Sequence, residues 1–260
     1  MNFNENKIVF WRSDYYNAAP VGGLFTSQYG IIRGFKRLGY DNTFITSGPV
    51  LAPDGTKEIL IPHSNILKNL PEIPMMDYNS KVIKKIPAIL NEEKPTFVYH
   101  FHAFFNYSLV ELKKKYKRPF FLQAEGVLQW VKKNWGKTYF PELLAKMEKS
   151  VWNHADGIFC VSETVRRQLI DYGAQEDKIH ILTCKADTDF FTPNIDDKVF
   201  KKQIKPNDEI IIGFLGTFGK WHGIEFLAEN VKAITERIPN SKFLFIGDGE
   251  LRGKVENILE

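Results

Sequence analysis

Residues 141–172 read PELLAKMEKSVWNHADGIFCVSETVRRQLIDY, and their pattern decides the fold class. The first fourteen residues predict an amphipathic helix over 141–154. Pro141 opens it, a position where the missing N–H would have no helical partner anyway. A short apolar run from Gly157 to Val161 predicts a strand. Ser162 then stands as N-cap of a second helix over 163–172. Helix, strand and helix follow one another with almost no loop between them, as in a parallel sheet covered by helices.

The same alternation extends in both directions. Toward the N-terminus, strands are predicted over 8–11, 43–46, 59–61, 96–100 and 119–123. Helices are predicted over 23–38, 81–90 and 108–116, although Pro87 disfavours the interior of the second. Pro, Asn and Asp between Leu51 and Met76 predict mostly loop. Toward the C-terminus, strands are predicted over 178–183, 209–215 and 242–246, and helices over 223–237 and 250–259. A polar Lys/Asp-rich stretch separates the two series. The predicted organisation is a domain over 1–195, a linker over 196–208 and a second α/β unit over 209–260. With only two strands, that second unit is small for an independent sheet.

Composition narrows the function classes. The 260 residues are 43% hydrophobic and 25% charged, ordinary for a soluble globular chain. A net charge of +4 is too small and too dispersed for a nucleic-acid-binding face. One local cluster, Lys113, Lys114, Lys115, Lys117 and Arg118, reads either as a solvated helix end or as a docking patch for anionic lipid. The two cysteines, Cys160 and Cys184, fit neither a metal site nor a disulfide framework. No signal peptide or spanning run is legible, which predicts a cytoplasmic protein.

Four places carry candidate chemistry. Gly213 to Gly223 sets a glycine-rich turn between a strand and a helix, and a helix N-terminus favours an anion. Gly216, Thr217, Lys220, His222 and Gly223 form either a phosphate grip or a plain βα turn. Gly247, Asp248 and Gly249 end the next strand, where Asp248 bonds a ribose or caps the following helix. Gly22 and Gly23 stand between the first strand and helix, without the dinucleotide G-x-G-x-x-G spacing. His100 and His102 lie at a strand end, where imidazole serves as acid, base or charge donor, or simply as a packed pair. No third ligand accompanies them, so no metal is expected.

The order of these pieces resembles family 4 glycosyltransferases. Residues 152–169 are similar to the family's Ala-Asp-x-Ile-x-x-Val-Ser segment, and 178–193 to its domain-junction stretch. Phe214 to Gly223 resembles the donor loop in a Trp-His-Gly variant, and 245–249 the next strand end. The resemblance implies a GT-B fold, with a complete N-terminal Rossmann-like domain and the first part of a second one. It implies retaining transfer of a hexose from a UDP- or GDP-sugar to a glycan or lipid-linked acceptor, in bacterial surface polysaccharide assembly, without cofactor or tightly held metal. It also implies that His102 contacts the transferred sugar, with His100 as second choice, and that donor-loop cations neutralise the departing diphosphate. The cationic cluster then suits peripheral contact with the inner face of the cell membrane. A non-catalytic acceptor- or partner-binding fragment and a GT-B sugar-nucleotide epimerase are the other readings.

Departures from the pattern are equally specific. Thr217 and His222 stand where many members carry Arg and Lys. Thr183-Cys184-Lys185 replaces a Pro-Asn-Gly turn. Glu125-Gly126 stands where a His is common. The Glu-x7-Glu segment that binds the donor's hydroxyls in members does not occur in these residues.

Overall fold

The computed structural model describes residues 6–260 except 13–22, 49–51, 64–69, 71, 185, 190, 195, 197, 205–206 and 208, together with the side chain of Leu24. Gly22 and Lys185 therefore lie outside the described residues. The chain forms two compact units, Met1–Lys185 and Ala186–Glu260.

The first unit is a seven-stranded, all-parallel sheet in the order β3-β2-β1-β4-β5-β6-β7. Its strands are β1 Lys7–Arg12, β2 Asp41–Thr46, β3 Lys57–Leu60, β4 Phe97–Phe101, β5 Phe120–Ala124, β6 Gly157–Cys160 and β7 Ile179–Ile181. Its helices are α1 Gly23–Arg37, α2 Glu72–Glu93, α3 Ser108–Lys115, α4 Leu128–Trp135, α5 Pro141–His154 and α6 Glu163–Asp171.

Strand periodicity explains why both faces are covered. Val9, Trp11, Val98, Phe120, Leu122 and Ile158 pack on one face, beneath Tyr78, Val82, Leu109, Val151 and Trp152 of the helices. Ile8, Phe10, Tyr99 and Phe101 alternate to the other face, where Ile32 and Phe35 of α1 meet them. Parallel strands buried on both sides read as continuous apolar runs, as these do.

The structure corrects the predicted loop at one point. α2 begins at Glu72, well before the expected 81, and runs through Pro87. Tyr78, Val82, Ile86 and Leu90 are buried at helical spacing. That burial, roughly 1.5–3 kcal/mol for each large apolar side chain, outweighs the cost of one interior proline.

The amino edge of the sheet is tied by charge. The buried carboxylate of Glu93, ending α2, pairs with Lys7 at the start of β1 and with Lys57 Nζ at 2.6 Å at the start of β3. Burial pushes this carboxyl up, but the hydrogen bonds from Lys57 and Lys7 win, leaving it below the ordinary carboxylate value.

The second unit holds α7 Lys198–Ile204, β8 Ile210–Leu215, α8 Ile224–Arg237, β9 Ser241–Ile246 and α9 Arg252–Leu259. The segment read as a linker over 196–208 thus contains a short helix. β8 and β9 pair in parallel. Phe218, Ile224, Ala228 and Val255 form a core, flanked by Phe214, Phe245, Leu251 and Ile258.

Candidate active site

The strand order reverses between β1 and β4, where chains leave the sheet in opposite directions and open a crevice beyond the carboxyl ends. Arg12 pairs in register with Phe101 there. His102 is therefore the first residue past β4 at the switch point.

The ring of His102 is held but not satisfied. Its backbone N–H donates to Gln123 O at 3.0 Å, fixing the strand end. Its side chain is 3% exposed, and Nε2 lies 3.5 Å from Glu148 Oε1. Neither ring nitrogen has a hydrogen-bond partner among the described residues. Buried polar atoms are seldom left unpaired, and those that are call for a reason such as a bound ligand or water. The carboxylate of Glu148 is already occupied: it accepts the N–H of Leu128 at 2.6 Å and of Gln129 at 3.0 Å, capping α4.

His100 has a different environment. It is fully buried, stacked on Trp11 with ring centroids 4.2 Å apart. Its Nε2 sits 3.0 Å from Asn106 Nδ2. Asn106 Oδ1 accepts from Ser108 N at 3.1 Å, so the amide nitrogen faces the ring as donor and His100 Nε2 accepts. Burial pushes this imidazole well below its usual pKa, and His102 adds to the effect. As second choice for sugar contact His100 is thus corrected: sealed in the core, it acts as a neutral packing residue.

A prediction follows from the sign of that shift. An unfolded histidine takes up a proton below about pH 6.5, whereas buried His100 resists it. Stability is full above that pH and falls as the pH drops through it. Unfolding midpoints measured from pH 7.5 to 5 should decline, and the decline should flatten in His100→Gln. An equal slope in both proteins would show that other groups carry it.

Around the crevice stand residues that sequence reading did not assign. Arg12 Nη1 donates to Gln28 Oε1 at 2.6 Å. Glu125 accepts from Ser27 Oγ at 3.4 Å and Gln123 Nε2 at 3.3 Å. Burial pushes the Glu125 carboxyl up, while those hydrogen bonds and the charge of Arg12 pull it back. Glu148 left a readable trace, a lone acid in an apolar stripe with Leu144, Val151 and Trp152. Arg12 and Gln28 left none, because the sheet order that brings them together is not a local property. Gly23, the first residue of α1, has no atom of the described residues within 4 Å of where a Cβ would stand.

In the second unit the glycine loop is locked to its neighbour. Gly216 N donates to Ile246 O at 3.0 Å, Phe218 N to Asp248 O at 2.9 Å and Leu251 N to Phe218 O at 3.0 Å. Phe218 anchors the loop in the core. The approach is so close that a Cβ on Gly247 would lie 1.8 Å from Gly216 O, and one on Gly249 2.8 Å from Phe218 O. These two glycines are therefore needed for backbone packing. Asp248 Oδ1 accepts the N–H of Gly249 at 2.8 Å, a local turn bond rather than a helix cap. Gly223 adopts φ +68 and leads into α8 with no side chain capping that helix. Thr217, Lys220 and His222 remain exposed beside it.

α9 buries its apolar face within this unit: Val255 is 1% exposed against Phe218 and Ile224. Leu251 and Ile258 flank it.

The Lys113–Arg118 cluster is largely engaged within its own unit. Lys113 Nζ donates to Asp156 Oδ2 at 2.5 Å and Arg118 O at 2.9 Å. Lys114 pairs with Glu111 at 2.7 Å, and Arg118 donates to Pro95 O at 3.0 Å. Only Lys115 and Lys117 extend without a described partner. Lys113 and Arg118 thus close the α3–β5 corner, while Lys114, Lys115 and Lys117 stay exposed.

Residues 21–190 match Glycosyltransferase Family 4. The chain belongs to this family. An uncharacterized glycosyltransferase, MJ1059 of Methanocaldococcus jannaschii, is 24% identical over 251 residues, covering 92% of this chain and 60% of that protein. The chain thus spans less than two thirds of that relative. Sucrose-phosphate synthase (tll1590) of Thermosynechococcus elongatus superposes with a TM-score of 0.73 at 15% identity, covering 97% of this chain and 68% of that one. Anabaena Alr3699/HepE, solved with UDP and glucose, gives a TM-score of 0.65 at 13% identity, over 96% and 64%. The α/β fold expected from the family 4 pattern, of GT-B type, is shared with these proteins. The family match includes β4 and His102 at the switch point, while β1 precedes it.

Proposed function

We propose that this family 4 chain takes part in glycosyl transfer from a nucleotide diphosphate sugar. The exposed, glycine-locked turn of the second unit carries the proposal. It presents Lys220 and His222 next to an uncapped helix N-terminus, an arrangement that attracts an anion by charge and by free N–H groups. On this reading the turn, with Gly216, Thr217 and Gly223, grips the donor's diphosphate. Its cations stabilise the negative charge that builds on the leaving phosphate. In the first unit, the unpaired ring of His102 contacts the transferred sugar. The presence of UDP and glucose in the HepE structure supports a nucleotide-sugar donor.

The finer reading is a hexose moved from a UDP- or GDP-sugar to a glycan or lipid-linked acceptor with retention, in surface polysaccharide assembly in the cytoplasm. Among the described residues no helix is long and apolar enough to cross a membrane.

Titration calorimetry with UDP and GDP, followed by product analysis with their sugars, tests this. Lys220→Ala should weaken nucleotide diphosphate binding about tenfold, the effect of losing one well-placed charge-assisted bond. Equal affinity in the variant would remove Lys220 from the site. Binding without transfer or hydrolysis by the intact protein would favour the non-catalytic reading.

A further inference from the structure

We infer that residues 129–143 of the first unit form a docking surface for an anionic lipid bilayer. The strip is unusual in what it exposes. No residue of α4 is fully buried, and its hold on the core is a partly buried Trp130. Trp135 is 44% exposed, Tyr139 67%, Phe140 39% and Leu143 38%, all within one short stretch. Lys132, Lys133 and Lys137 are interleaved with them, opposed only by Glu142. A groove of about 720 Å³ runs between these lysines, Tyr139 and Tyr172.

The strip is held from below by two buried carboxylates. Glu148 caps the N-terminus of α4. Glu72 accepts from Thr138 Oγ1 at 2.9 Å and Tyr139 N at 3.0 Å, pinning the loop that follows. Lys132 Nζ lies 4.6 Å over the Phe104 ring, its stem laid along apolar surface. The strip is thus held at 128–129 and 138–139 while Trp135, Tyr139 and Phe140 stay outside. Apolar groups raised from a rigid base cost less ordering free energy when they insert into another phase.

The chemistry selects the occupant. A soluble polyanion would use the lysines but leave Phe140 and Leu143 without a role. A bilayer uses both: aromatic rings settle at the headgroup level, and lysines reach anionic phosphates around them. This surface differs from the Lys113–Arg118 cluster, whose aromatic residue, Tyr116, packs against the core. The inference stands on the surface alone, so vesicle binding and sugar transfer succeed or fail separately.

Co-sedimentation of the full chain with vesicles tests it. The chain should sediment with phosphatidylcholine vesicles containing phosphatidylglycerol and stay in solution with phosphatidylcholine alone. Lys132→Glu, Lys133→Glu and Lys137→Glu combined should lower the partition by more than about tenfold, given the free energy each lysine contributes near an anionic surface. Tyr139→Ser with Phe140→Ser should lower it at unchanged charge, and far-UV circular dichroism would verify folding of each variant. Lys115→Glu with Lys117→Glu should leave binding intact. The inference is overturned if the wild-type chain ignores anionic vesicles, sediments equally without them, or binds as well after the triple reversal. Binding to dextran sulfate but not to vesicles would assign the strip to a soluble polyanion instead.

Discussion

His102→Ala in the intact protein should lower turnover by about 100-fold or more, the scale of removing one preorganised polar contact at a reacting centre. His102 stands at the carboxyl end of β4 beside the switch point, and neither of its ring nitrogens is hydrogen-bonded among the described residues. Removing the ring therefore orphans no protein donor. Glu148 keeps both of its backbone partners on α4. The variant should retain the wild-type circular dichroism spectrum and nucleotide affinity, with the loss confined to kcat. Unchanged turnover would sink the assignment. A variant that lost folding along with activity would instead place His102 with His100 as a packing residue.

Gly247→Ala should damage the second unit more than any other single methyl group added there. The new Cβ would stand 1.8 Å from Gly216 O and 2.9 Å from the Phe218 ring. A backbone oxygen cannot yield as a flexible side chain would. The two loops must part, which breaks the bond from Gly216 N to Ile246 O and strains that from Phe218 N to Asp248 O. Overpacking of this kind costs about 1–3 kcal/mol, and the lost hydrogen bonds add about 1 kcal/mol each. Gly213→Ala is the matched control, because nothing lies within 4 Å of its added Cβ. Thermal unfolding and amide exchange over 214–219 should separate the two variants clearly. Nucleotide diphosphate affinity should fall only in Gly247→Ala. Identical melting of both would mean the loops are not locked in solution.

Much of this architecture is readable from local pattern. The helix over 141–154, its Pro141 start and the Ser162 cap, which accepts from Val165 N at 3.3 Å, stand where the residues predict them. Most strands shift by only a residue or two. Failures came where local propensity and burial disagree. Pro74 and Pro87 argue against the full length of α2, yet its buried stripe forms it. α4 gave no signal because none of its residues is fully buried and its contact with the core is a partly buried Trp130.

At the candidate site the division is sharper. The sequence by itself determined the alternation of strand and helix, the family, the glycine-rich turn and the presence of two histidines near one strand end. These follow from short-range spacing, which a chain carries wherever it folds. Tertiary structure alone decided that His100 is sealed against Trp11 while His102 faces Glu148. It also made Gly247 a packing requirement, and paired Lys113 with Asp156 and Arg118 with the carbonyl of Pro95. Each of those outcomes depends on a partner distant in sequence, brought in by strand order. Pairing across a sheet is set by the burial of both faces together, and no local run of residues encodes it.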